Sequence, residues 1–247
     1  MLALISEIFH PARRFRTRHA QVFLGLVLVL VCTALALAPQ IDLAIARFFY
    51  VDGHFIAATA LGRAARMLAR TLPFLLLGGL TLAWVVGRIA RDMRFVPRGR
   101  SLAWLLLSMA LGPGLVVDAM KEISHRPRPA QVTEFGGPWA FRPYYLFDGR
   151  CPANCAFPSG EAAAAFWTLA PASLAPPPLR PAAIGAALIF GLATSLLRLA
   201  FGGHFLSDVV FAGILTAAVV FGLRRMRRFS AAPPPPREPG QLTGRKA

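Results

Sequence analysis

At 247 residues, with 56% apolar and 15% charged side chains, the chain departs from the about 45–50% apolar and about 25% charged composition of a soluble domain. That excludes an ordinary water-surrounded globule and requires apolar runs of about 20 residues, the length that crosses a bilayer. The net charge of +16 would suit nucleic acid, but in so apolar a chain Lys and Arg are first a topology signal, and no nucleic-acid partner is expected.

In chain order, residues 1–19 form a basic tail, followed by a charge-free run from Ala20 to Ile41. That run is long for a signal-peptide core and lacks a small-residue cleavage site, so it is expected to remain as a helix. Asp42 to Arg70 carries apolar stretches too short to span, and Phe48, Phe49, Tyr50 and Phe55 suggest helices lying in the interface. Further charge-free runs are Thr71 to Gly87, Ser101 to Val117, Ala162 to Leu179, Pro181 to Leu197 and Val209 to Leu223. The last is short, so its helix is expected to start near Leu206. These runs predict an all-α polytopic membrane protein with six transmembrane helices in a domain spanning 20–228. A disordered, Pro-rich tail over 229–247 follows.

With the N-terminus inside, six spans place 17 Lys and Arg on the inner side and 10 on the outer side. The positive-inside bias therefore predicts N-in and C-in. Between the third and fourth spans, Pro127 and Pro129 stop the helix, and Gly136, Gly137, Pro138 and Pro143 mark a turn-rich outer loop. Cys151 and Cys155 lie in that loop, where an oxidising periplasm permits a disulfide; half a metal site is the alternative, but no second pair exists. No metal and no cofactor are expected.

Three groups of polar residues fall on the outer ends of the predicted helices. His204 and Asp208, four apart, share a helix face, and an aspartate accepting from one ring nitrogen would leave the other as a nucleophile. A helix-end polar pair is the plainer account of that spacing alone. Lys121, Arg128 and Arg198 add the cations that phosphoryl transfer uses to hold three equatorial oxygens. Taken singly, each could instead be an interfacial residue reaching lipid head groups. Ser159 and Gly160 follow Pro158 at a helix start, which is both an ordinary N-cap and an anion site.

These residues resemble the three-part signature of the phosphatidic acid phosphatase type 2 (PAP2) superfamily of membrane lipid phosphatases. That signature is Lys-x6-Arg-Pro, Pro-Ser-Gly-His and Ser-Arg-x5-His-x3-Asp, and here its parts read Lys121 to Pro129, Pro158 to Glu161 and Leu197 to Asp208. Two positions depart: Leu197 replaces the serine before Arg198, and Glu161 replaces the histidine of the second part. The resemblance implies a PAP2-type helical bundle and a phosphohistidine on His204, assisted by Asp208. Lys121, Arg128, Arg198, Ser159 and Gly160 would bind phosphate. Glu161, as a carboxylic acid raised by burial, would protonate the leaving oxygen, with His125 as a substitute. Arg128 to Val132, Phe135 to Gly137 and Asn154 to Glu161 also look like the lipid A phosphatases of Gram-negative bacteria. The substrate implied is lipid A or another membrane phospholipid, met at the periplasmic face of the inner membrane. Hydrolysis of undecaprenyl diphosphate or phosphatidylglycerophosphate, transfer of phosphate to another lipid, and a non-catalytic lipid-binding role are the alternatives.

Overall fold

The structure, a computed structural model, describes residues 25–27, 29–91 and 97–226. Both expected tails, the start of the first expected span and part of the basic loop after Gly87 lie outside the described residues. What remains is mostly helical. A first helix, α1 (Gly25–Leu37), turns by 88° into α2 (Gln40–Phe48). The interfacial segment then holds something the sequence reading did not anticipate, an antiparallel hairpin of β1 (Tyr50–Val51) and β2 (His54–Phe55). Asp52 and Gly53, at φ 50° and 79°, make its tight turn, so the expectation of an all-helical chain is modified here.

Helix α3 (Ala60–Ile89) opens on Thr59, whose side chain accepts from the Gly62 N–H. Its 30 residues rise about 45 Å, more than the thickness of a bilayer core. The next span is one rod in three pieces: α4 (Gly99–Met109), a π-helical stretch over Ala110–Val116, and α5 (Val117–Ser124). Pro113 explains the middle piece, because it lacks an N–H and its ring crowds the preceding turn.

Helices α6 (Gly160–Trp167) and α7 (Leu169–Ala172) occupy the middle of the bundle, and α8 (Arg180–Ala200) and α9 (Leu206–Arg225) pack against α6. Four consecutive alanines, Ala162 to Ala165, are buried and let those helices approach closely. Phe166 fits where Gly191 and Gly213 leave room, since a Cβ on either would meet its ring. By length and composition, four helices among the described residues can cross a membrane, or five if α1 and α2 form one bent span. The expected fourth span, Ala162 to Leu179, is not among them, because its helix breaks at Thr168 and ends before Pro176.

Packing is divided by depth. At the end away from the three motifs, Trp104, Leu105, Met109, Trp167 and Val220 form one cluster, with the Trp104 indole donating to the Val220 carbonyl and the Trp167 indole to Ser108. Midway, Val117, Ala162, Ala163, Leu199, Val209 and Ala212 pack together. Above them Phe55, Phe135 and Phe205 close an aromatic cap that fixes the hairpin and the outer loop.

Candidate active site

The outer loop between α5 and α6 is tied to the bundle by backbone bonds. Helix α5 ends at His125 in the left-handed region, φ 46°. Cys151 N–H donates to the His125 carbonyl at 3.0 Å and Ala156 N–H to the Arg126 carbonyl at 2.8 Å. Ala130 N–H reaches the Gly202 carbonyl, and Ser159 N–H the Asp208 carbonyl. Cys151 and Cys155 are disulfide-bonded, with Cα atoms 5.7 Å apart. The loop therefore carries fixed groups to the ends of α5, α6, α8 and α9.

Those ends surround a cavity of about 480 Å³. Of the residues expected to form a site, Lys121, Arg128, Gly160, Glu161, Arg198 and His204 line it. Ser159 and Asp208 stand behind its wall, both fully buried. Ser159 serves as the α6 N-cap, accepting from the Ala162 N–H. His125 is not among the lining residues; its Nδ1 lies 3.2 Å from the Cys151 carbonyl.

His204 is 3% exposed, in the turn between α8 and α9. Its Nδ1 lies 2.7 Å from the Ala156 carbonyl, an acceptor only, so the proton sits on Nδ1 and Nε2 keeps its lone pair. The expected partner, Asp208, stands farther off, with Oδ2 3.7 Å from the same nitrogen, beyond hydrogen-bond reach. The carboxylate acts on the ring as a charge, while a backbone carbonyl fixes the tautomer. Burial pushes His204 down to about 4, with Asp208 opposing that shift and Arg198 adding to it. The ring is thus neutral at pH 7, as a nucleophile must be.

Asp208 itself is held by groups the sequence reading passed over. Its Oδ2 accepts from the Phe205 N–H at 2.7 Å, and its Oδ1 pairs with Arg126. Arg126 is completely buried and also donates to Asp42 at 2.7 Å, to Ser207 at 2.8 Å and to the Arg142 carbonyl at 2.8 Å. Its guanidinium lies over the Phe205 ring, 4.6 Å from the centroid. Asp42, from α2, closes the network by accepting from the Ser207 N–H and hydroxyl. One buried arginine pairs with both carboxylates, so neither is buried without a cationic partner.

The cations on the cavity wall are less fully engaged. Arg198 is 2% exposed, yet its Nε and Nη1 make no hydrogen bond; Nε stands 3.5 Å from Glu161. Gly203 leaves room for this guanidinium, since a Cβ there would come within 2.3 Å of Arg198 Nη2 and displace it. Arg128 donates through Nε and Nη2 to the Asn154 carbonyl, and Lys121 Nζ lies 3.5 Å from the Asn154 side-chain oxygen. Lys121 Nζ also faces the bare Cα of Gly160, where a Cβ would sit 3.3 Å away. A buried guanidinium with idle donors beside a neutral imidazole is suited to bind a tetrahedral oxyanion.

Glu161 meets a second arginine besides Arg198, and the two cations oppose the burial expected to keep it a neutral acid. Arg66, on α3, donates to both carboxylate oxygens, with Nη2 at 2.6 Å and Nε at 3.0 and 3.1 Å. Arg70, one turn farther along α3, lines the same cavity. Neither belongs to a recognisable motif; their only trace in the sequence is a pair of arginines four apart just ahead of a charge-free run. Among the described residues, no group of three or more His, Cys, Asp or Glu is placed to hold a metal ion.

The family model of the PAP2 superfamily matches residues 101–231, from α4 through α9, which includes all of these motif residues. The chain belongs to the PAP2 superfamily. Its relatives in that superfamily include the lipid A 4′-phosphatase of Rhizobium leguminosarum, 33% identical over 199 residues that cover 74% of this chain and 85% of the relative. The lipid A 4′-phosphatase of Francisella tularensis subsp. novicida is 33% identical over 149 residues, 58% of this chain and 67% of the relative. That of Rhizobium etli is 40% identical over 125 residues, 50% of this chain and 48% of the relative. No solved structure matches. As a PAP2 protein with several membrane-crossing helices, the chain is a multi-pass membrane protein.

Proposed function

We propose that this chain is a lipid A phosphatase of the bacterial inner membrane, acting on the 4′-phosphate from the periplasmic side through a phosphohistidine. The observation that carries the reading is the cavity in which a neutral, tautomer-fixed His204 stands among Lys121, Arg128 and Arg198. The substrate rests on likeness to the three relatives, whose names give the position of the phosphate.

In the first step His204 Nε2 attacks phosphorus, the bond from phosphorus to the sugar oxygen breaks, and the imidazolium that forms faces the Asp208 carboxylate. The three cations hold the phosphoryl oxygens as charge spreads over them. In the second step water attacks the phosphohistidine, releasing inorganic phosphate and neutral His204. The positive charge a metal ion would bring is supplied by side chains, which supports a metal-independent reaction. Glu161 is the proton donor to the sugar oxygen. At rest it only accepts from Arg66; a phosphate dianion seated on Arg198 supplies the negative neighbour that favours its protonation.

The cavity continues from this headgroup end to Phe74, Met109, Ala110 and Pro113, where the π-helical stretch widens the α4–α5 rod, and acyl chains would lie there. The chain is N-in and C-in, with α6 and α7 completing a sixth, protein-enclosed pass. The 17-to-10 distribution of basic residues and a disulfide beside the site both favour a periplasmic site.

The deciding experiment is phosphate release from lipid A by purified protein in detergent with EDTA, followed by mass spectrometry of the product. Release from the 4′ position, absent in His204→Ala, is expected. Undiminished release by that variant would end the mechanism. Phosphate appearing on an acceptor lipid instead of in solution would make the protein a phosphotransferase.

A further inference from the structure

The cavity carries more positive charge than one phosphate needs. Arg66, Arg70, Lys121, Arg128 and Arg198 line it against two carboxylates, Asp118 and Glu161. With His204 neutral, that leaves a surplus of three positive charges, whereas a phosphomonoester brings only about −1.5 to −2. In a cleft at the edge of a bilayer, unbalanced charge is costly, so a ligand that neutralises it is favoured.

The surplus has a location. Arg66 is occupied by Glu161, and Arg198, Lys121 and Arg128 gather around His204. Arg70 is different: among the described residues it has no hydrogen bond and no ion pair, yet it lines the cavity. Arg66 and Arg70 are four apart and share one face of α3. One turn farther along that face comes Phe74, where the wall becomes apolar. Arg70 thus marks the inner limit of the region in which a polar headgroup can lie.

We infer that Arg70, with Arg66 beside it, forms a second anion subsite for a second anionic group on the headgroup of the same lipid whose phosphate reacts at His204. The inference rests on the phosphatase reading above and narrows its substrate class to lipids with at least two anionic groups on one headgroup. Arg63 provides the contrast. It lies on α3 too and is exposed like Arg70, but it donates to the Ala58 carbonyl at 3.3 Å and does not line the cavity, as expected of a residue that only meets the interface.

The test compares lipid A bearing both phosphates with lipid A bearing only the phosphate that is removed. The full chain should show a higher kcat/KM on the first. Arg70→Gln should cut that preference by about tenfold, chiefly through KM, Arg70→Lys should retain most of it, and Arg63→Gln should leave it in place. No preference in the wild-type protein, or an equal loss on both lipids in Arg70→Gln, would overturn the subsite. Binding of the same two lipids to His204→Ala protein, with and without Arg70→Gln, separates the subsite from the reaction. Selective loss of affinity for the doubly charged lipid without turnover in the wild type would sink the phosphatase reading and keep the subsite. Turnover without that selectivity would do the reverse. Thermal unfolding of each variant shows that the protein measured is folded.

Discussion

His204 shows how a single residue is prepared by what surrounds it. The sequence spacing to Asp208 indicated a pair, but it gave no sign that the Ala156 carbonyl holds the ring at 2.7 Å while the carboxylate stands at 3.7 Å. Backbone groups from distant loops leave no mark in a motif. The low position of His204 has a pH consequence. A histidine whose folded value is depressed gives stability that is intact above the ordinary histidine value near 6.5 and is lost as pH falls through about 4. Thermal stability should therefore decline between pH 6.5 and 4 more steeply in the wild type than in His204→Ala, as differential scanning fluorimetry in detergent would register. Parallel curves for the two proteins would contradict the burial argument.

Arg126 makes a prediction of another kind. Replacing it with Met leaves Asp42 and Asp208 buried without their cation, and breaking such a pair costs about 3–5 kcal/mol. Arg126→Met should lose much of its stability, measured as a fall in midpoint, while Arg128→Met, on the cavity wall, should lose activity with little change in stability. The two arginines are separated by one proline and look alike in the sequence. Burial alone tells them apart, because one points into the network behind His204 and the other into the cavity. The role of Glu161 is tested by leaving group. If it donates the proton, Glu161→Gln should slow release from a sugar phosphate by at least about a hundredfold, yet slow an aryl phosphate with a good leaving group far less. Similar losses on both would mean that its service is to hold Arg66.

Among the elements, the long apolar runs were the legible part. The last helix begins at Leu206, the residue the charge pattern indicated, and the Thr71 to Gly87 run lies within α3. Hydropathy was less able to see how far a helix extends beyond its apolar run, and α3 begins at Ala60, which carries Arg66 and Arg70 onto the cavity. It also could not separate a helix crossing lipid from one enclosed by other helices: Ala162 to Leu179 is equally apolar, but it is interrupted at Thr168 and its alanines face α8 and α9. The tight Asp52–Gly53 hairpin was hidden among aromatics that equally suit an interfacial helix. The close packing around α6 has its own test. Ala163 is fully buried, so Ala163→Leu forces extra volume between packed helices and should cost about 1–3 kcal/mol, with activity reduced because the start of α6 carries Gly160 and Glu161. An unaltered midpoint would mean that this part of the bundle is looser than its geometry.

At the scale of the whole molecule, chemistry and anchoring are divided between two ends. The end bearing Trp104 and Trp167 is a closed apolar core, whereas the opposite end gathers the outer loop and residues of α3, α5, α6 and α8 around one cavity. The proposed orientation has its test at this scale: a thiol-reactive, membrane-impermeant label on a cysteine placed at the exposed Asp148 should react in intact cells from outside, and one placed at Arg180 should not. Labelling of the second alone would reverse the proposed topology.

The bridge between Cys151 and Cys155 encloses Asn154, whose backbone oxygen receives Arg128 and whose side chain receives Lys121. Two of the cations around the cavity are thereby tethered to a ring that exists only when its thiols are oxidised. A freshly synthesised chain, still in contact with a reducing cytosol, would hold the ring open and the two cations loosely placed. Maturation of the site would then be timed by the oxidation of its two thiols. Reductant applied to the purified protein should lower turnover while the helices stay folded by circular dichroism, and reoxidation should restore it.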